Sequence, residues 1–143
     1  TCPDGVEDVA ARLAVDLDAA VVATTGRTAL LYRPNPDLPP EKLDKLLARI
    51  VMRARTPRTV TRPDALRRIL DQIAADGYAL VDEELEIGLR SIAVPVRSRS
   101  GRFIAALNVS TQSARHTPDA MIESILPALR TAARSIEDYS RVQ

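Results

Sequence analysis

Two β-leaning runs, Ser91-Ile92-Ala93-Val94-Pro95-Val96 and Phe103-Ile104-Ala105-Ala106-Leu107-Asn108-Val109-Ser110, flank a short polar tract at 97–102. The Ser100-Gly101 pair inside that tract suits a tight hairpin turn, so the two runs should pair antiparallel. Tyr78-Ala79-Leu80-Val81 reads as a further strand. It leads into the acidic stretch Asp82-Glu83-Glu84-Leu85-Glu86-Ile87-Gly88, a loop beside the sheet. An earlier pair of β-like segments, at 20–24 and 28–32, surrounds Thr25-Gly26-Arg27 and reads as a hairpin.

Helical periodicity fills the rest. Val6, Val9, Ala10, Leu13 and Leu17 follow Asp4 as N-cap and Glu7 as its capping-box partner. Pro34, Pro36, Pro39 and Pro40 break the chain. Leu43, Leu46, Leu47 and Ile50 then form one short amphipathic face. Thr61 is expected to cap a helix with Pro63 in its first turn, the stripe Leu66, Ile69, Leu70 and Ile73, and Gly77 just past its end. The last helix should start with Thr117 as cap and Pro118 at its first position and be kinked by Pro127. Helix, hairpin, two helices, three strands and a final helix do not alternate as a doubly wound sheet does. The fold class is α+β, an antiparallel sheet flanked by helices.

A chain of 143 residues fits one domain, 1–143. Lys and Arg number 20 against 19 Asp and Glu, so no global field draws this domain onto a phosphate backbone. The absence of Trp and of a long apolar run disfavours base-stacking platforms and a membrane role. One histidine, His116, leaves no multi-histidine metal site, and the glycines form no nucleotide-binding loop. No cofactor and no metal is expected. The single Cys2 and the lack of an apolar leader point to the cytoplasm.

The most informative local feature is the pair Asn108 and Ser110, two apart and therefore on one face of an otherwise apolar strand. Polar groups buried there need partners, from protein, water or a ligand. Ser91 shares its face with Ala93 and Pro95 and, across a hairpin, approaches Asn108 and Ser110, with Leu89 and Ile87 as apolar walls. Small-molecule sites have this make-up, mostly apolar with a few placed polar groups. A wetted edge, or hydroxyls tied to backbone, explains the same residues without a ligand. The acidic cluster Asp82, Glu83, Glu84 and Glu86 and the basic cluster Arg58, Arg62, Arg67 and Arg68 read as solvated surface. Ser91 with His116 and an acidic residue makes a hydrolase triad only on paper, since no Gly-x-Ser-x-Gly elbow exists.

Arg55-Thr56-Pro57-Arg58-Thr59-Val60-Thr61, Asp76-Gly77-Tyr78-Ala79, Gly88-Leu89-Arg90-Ser91-Ile92-Ala93-Val94-Pro95-Val96 and Ala105-Ala106-Leu107-Asn108-Val109-Ser110 together resemble the effector-binding domain of IclR-type bacterial transcriptional regulators. The resemblance runs from about 39 to 136 and is nearest to the branch answering to aromatic acids of the protocatechuate and para-hydroxybenzoate type. It implies a GAF-like domain that binds a small organic acid on its sheet. It also implies a homodimer or homotetramer and contact with DNA only through a separate N-terminal winged helix-turn-helix, which these residues do not include. The family's pocket positions fall on Ser91, Asn108, Ser110 and Leu89. Val81 stands where many members carry Asp or Ser, and Ala93 shares the Ser91 face. Near 33–40 the chain is shorter than the family pattern, and Thr24-Thr25-Gly26-Arg27 is either the hairpin turn or the family's pocket loop. The rival readings are a small hydrolase using Ser91 or Cys2, and a ligand-free oligomerisation domain.

Overall fold

The structure is a computed structural model that describes residues 22–24, 28–30, 40–49, 51–101 and 103–142. The helix expected between Asp4 and Leu17, the proline cluster ahead of Pro40, and Ile50 lie outside the described residues. Strands β1 (Val22–Thr24) and β2 (Thr28–Leu30) pair antiparallel, with Ala23 opposite Ala29, the pairing a hairpin requires.

Helix α1 (Pro40–Leu47) begins at the last proline of the cluster and buries Leu43 and Leu47. Helix α2 (Pro63–Asp76) packs against it, Arg67 pairing with Asp44 of α1 as well as with Asp71 of its own helix. The expected Thr61 cap is displaced by one residue. Pro63 has no N–H to offer and a φ already suited to a helix, so it takes the first helical position and makes Arg62 the extended N-cap. Arg62 provides no side-chain cap; its guanidinium instead donates to Asp64 at 3.0 and 3.1 Å. At the other end Gly77 adopts φ 73° and its N–H bonds the Ile73 carbonyl at 2.9 Å, as expected of a glycine there.

Two residues later begins a three-stranded antiparallel sheet, β3 (Ala79–Asp82), β4 (Leu89–Arg97) and β5 (Phe103–Gln112), in that spatial order. The β4–β5 turn closes as a hairpin, with Gly101 at φ 81° and its N–H bonding the Ser98 carbonyl. An irregularity between Val96 and Arg97 brings Arg97 opposite Phe103, and the guanidinium sits 4.7 Å over that ring.

Alternate residues of β4, Ile92, Val94 and Val96, form the main core with Met121, Leu126, Leu129 and Ala133 of the C-terminal helical segment. Each large aliphatic chain so buried contributes about 1.5–3 kcal/mol. That segment starts at Thr117, whose Oγ1 accepts the Ala120 N–H at 3.2 Å, with Pro118 at the first position of α3 (Pro118–Ala120). A π turn (Met121–Ile125) follows, then α4 (Leu126–Val142). The expected effect of Pro127 takes this form. Proline cannot donate to the carbonyl four residues back and its ring collides with it. The turn just before it therefore widens, Leu126 N–H bonding the Met121 carbonyl five residues behind.

Candidate ligand-binding face

The register fixes which side chains meet. Val81 stands opposite Ser91, and Ser91 opposite Ser110; in the next row Ala79, Ala93 and Asn108 are aligned in the same way. Leu89 occupies the row on the other side of Ser91, opposite Gln112. Side chains two apart share a face, so Leu89, Val81, Ser91, Ala93, Asn108 and Ser110 all lie on one side of the sheet. Ile92, Val94 and Val96 point to the other, into the helical core.

On this face the Ser91 and Ser110 hydroxyls are 2.8 Å apart, and the Asn108 Nδ2 donates to Ser110 Oγ at 3.5 Å. The predicted trio is thus brought together. Burial is graded across it: Ser91 is 1% exposed and Ala93 2%, Asn108 is half-buried and Ser110 is exposed. The row runs from a closed floor on β4 to an open rim on β5, one of the two edge strands of this sheet among the described residues. Ile73 of α2 and Val81 pack on Ala79 and Ala93 and close one end of the face. Among the described residues the Ser91 hydroxyl bonds Ser110 and no imidazole. His116 instead contributes its backbone carbonyl elsewhere. No group of three or more His, Cys, Asp or Glu side chains suited to a metal ion occurs among the described residues. None of the described helices is long and apolar enough to cross a membrane.

Behind the face lies a polar network that the sequence reading missed. Arg90 precedes Ser91 and so points to the opposite side, where its side chain is only 8% exposed. Its Nε donates to Asp82 Oδ1 at 2.6 Å and its Nη1 to the carbonyls of Ser113, at 3.1 Å, and His116. One side chain thereby joins the end of β3 to the residues leading into the Thr117 cap. A charge at the parity of Ile92, Val94 and Val96 was the available signal, since a cation in a core-facing row requires built partners.

The acidic loop also departs from the solvated surface expected of it. Thr56 Oγ1 donates to the Glu83 carbonyl at 2.6 Å, and Thr59 Oγ1 to the Glu84 carbonyl at 2.5 Å. Glu83, at φ 56°, accepts from Ser113 Oγ at 2.6 Å and from the Gly88 N–H at 3.0 Å. Those bonds hold its carboxyl below the usual range, with Arg58 adding to the effect. Burial pushes the neighbouring Glu84 carboxyl up, against a Val60 N–H that pulls it down. The basic cluster is paired with carboxylates rather than left bare: Arg58 reaches Asp82 at 2.5 Å and Glu83 at 3.4 Å, and Arg68 reaches Asp64 at 3.4 Å.

Comparison with known proteins agrees with this architecture. Residues 19–138 match the family model described as bacterial transcriptional regulator IclR, C-terminal. The Pca regulon regulatory protein of Pseudomonas putida is 45% identical over 94 residues, covering 66% of this chain and 32% of that protein. The p-hydroxybenzoate hydroxylase transcriptional activator of Acinetobacter baylyi is 40% identical over 83 residues, covering 58% and 31%. The inducer-binding domain of the PobR transcription factor from Acinetobacter, a double mutant solved with 3-hydroxybenzoic acid, superposes with a TM-score of 0.68 at 29% identity, covering 81% of this chain and 72% of that one. The chain spans about a third of the length of these curated relatives. With the family match over 19–138 and the shared fold in agreement, the chain belongs to the C-terminal domain family of IclR-type bacterial transcriptional regulators.

Proposed function

We propose that the chain is a single effector-binding domain, and that the face carrying Ser91, Asn108 and Ser110, walled by Leu89, Val81 and Ala93, receives a small aromatic acid. The observation that carries this reading is the 2.8 Å Ser91–Ser110 contact with Asn108 beside it, sealed on the β4 side and open on the β5 side.

The chemistry follows from proton counting. Two hydroxyls joined by one hydrogen bond have a hydrogen left over. If Ser91 donates to Ser110, the exposed Ser110 hydroxyl donates outward, and a guest carboxylate accepts it. A hydrogen bond to a charged group contributes about 1.5–3 kcal/mol. The Asn108 amide, able to donate and accept, suits a ring hydroxyl, and the Val81 and Leu89 side chains suit the ring. The acid named with the PobR domain has this composition, which favours a hydroxybenzoate-like effector here.

Binding makes or breaks no covalent bond in this account. An effector with different affinities for two arrangements of a regulator shifts the population between them. We place this exchange in a cytoplasmic homodimer or homotetramer whose DNA contacts are made by a separate N-terminal domain. The test is a thermal-shift screen of hydroxybenzoates and other small organic acids. At a hundred times its Kd a ligand stabilises the folded state by about 2.7 kcal/mol. Selective stabilisation by an aromatic acid is the expected outcome, and the absence of any stabilising acid overturns the reading. Loss of a hydrolytic turnover in Ser91→Ala, with binding intact, would favour an enzyme instead.

A further inference from the structure

One end of the proposed face is closed by a residue from outside the sheet. Ile73, in the last turn of α2, packs on Ala79 and Ala93, the row adjoining Ser91 and Ser110. Adjacent rows on one face of a strand are about 7 Å apart. A guest held at Ser110 and extending along the strands toward the Ala93 row therefore approaches the Ile73 side chain within about one row.

The helix end that carries this side chain is tied down on two sides. The Ile73 carbonyl accepts the Gly77 N–H at 2.9 Å, and Gly77 turns the chain directly into β3, seating the helix end over the strand it precedes. From α4, Arg130 donates to the Asp76 carbonyl at 3.0 Å and lies 5.9 Å from the Tyr78 ring centroid, so the same helix end is tied to the layer behind the sheet. Beneath Ile73 lie two alanines, each 2% exposed. Their methyl groups leave the size of this end to the helix residue.

We infer that Ile73 is the specificity-determining residue that sets the length of acid this face accepts. The inference rests on the binding reading above. It assigns to a helix residue with no polar contact to a guest the discrimination between one-ring and two-ring acids. An apolar wall of this kind discriminates by shape, and one or two methylene groups are worth about 10–200-fold.

The test titrates the wild-type chain, Ile73→Val and Ile73→Ala with 3-hydroxybenzoate and with the two-ring 6-hydroxy-2-naphthoate, comparing the ratio of the two Kd values. Wild type is expected to prefer the one-ring acid. Ile73→Ala should move the ratio about tenfold toward the two-ring acid and Ile73→Val by less in the same direction. A general loosening of the fold weakens both acids together and leaves the ratio in place, so an unmoved ratio in a folded variant overturns the inference while the binding face stands. Where Ile73→Ala does not fold, Ile73→Val decides by the same criterion. Failure of wild type to bind either acid removes the binding face, and the inference with it.

Discussion

The two faces of the β3–β4–β5 sheet are made from alternate residues of the same strands, and they are built to different rules. One face carries Ile92, Val94 and Val96 into a helical core. The other carries Ala93, Ser91 and Ser110, small side chains with hydroxyls in contact and an open rim. The first face is stabilised by volume, its β4 side chains packed against Met121, Leu126, Leu129 and Ala133. The second gives up that volume and keeps hydrogen-bonding groups in contact beside small side chains, the arrangement on which the proposed binding face rests. In β4 the two rules alternate residue by residue, and Arg90 is the exception, a charge on the packed side.

The sharpest contrast is between substitutions one or two positions apart. Ile92→Ala empties a fully buried site and is expected to destabilise by about 2–5 kcal/mol in urea denaturation. Arg90→Ala removes the donor to the Ser113 and His116 carbonyls and leaves Asp82 paired with Arg58, and should cost about 1–3 kcal/mol by the same measurement. Ser91→Ala, between them, should cost about 1 kcal/mol or less, because Ser110 is exposed and water replaces the lost partner. A Ser91→Ala loss as large as that of Ile92→Ala would erase the distinction between the faces.

Smaller effects come from the loop at the end of the sheet. Thr59→Ala deprives the Glu84 carbonyl of its bond from Thr59 and releases the Arg55 and Thr56 N–H groups, for an expected loss of about 1–2 kcal/mol. The two adjacent glutamates should respond to pH with opposite signs. Glu83 has a lowered folded-state pKa, so its stabilising contribution is present above its unfolded pKa and is lost as pH falls through the folded one. Glu84 has a raised folded-state pKa, so its contribution is full below its unfolded pKa and is lost as pH rises through the folded one. Glu83→Gln is therefore expected to destabilise at neutral pH and to flatten the acid limb of a denaturation-versus-pH profile. Glu84→Gln is expected to stabilise at neutral pH relative to acid.

Locality explains which features could be read from the sequence. The Gly77 and Thr117 caps and the β4–β5 hairpin depend on neighbours in the chain, and residue types announce them. The candidate face was legible because period two places Asn108 with Ser110 and the hairpin brings Ser91 across from them, and the Gly-Leu-Arg-Ser resemblance falls on the same serine. The cap at Thr61 misled because Pro63 dictates its own position more strongly than a hydroxyl two residues earlier. The Thr56 and Thr59 bonds to Glu83 and Glu84 join segments more than twenty residues apart. Nothing in either segment declares the other, so a structured loop read as solvated charge. The same holds for Ile73, legible as one residue of a helical stripe but not as the cover over Ala79 and Ala93.

The most direct measurement is the affinity for 3-hydroxybenzoate of the wild-type chain, Ser91→Ala and Ile92→Val by isothermal titration calorimetry, each with its melting temperature. Ser110→Ala, added to the series, removes the hydroxyl that donates to the acid and should weaken it at least about tenfold with little change in melting, Ser91→Ala having the smaller effect of a lost support. Removal of a methyl from the packed face should lower the melting temperature and leave affinity near wild type. Equal affinity in wild type and Ser110→Ala, or no saturable binding to the wild-type chain, would contradict the assignment of this face to a ligand.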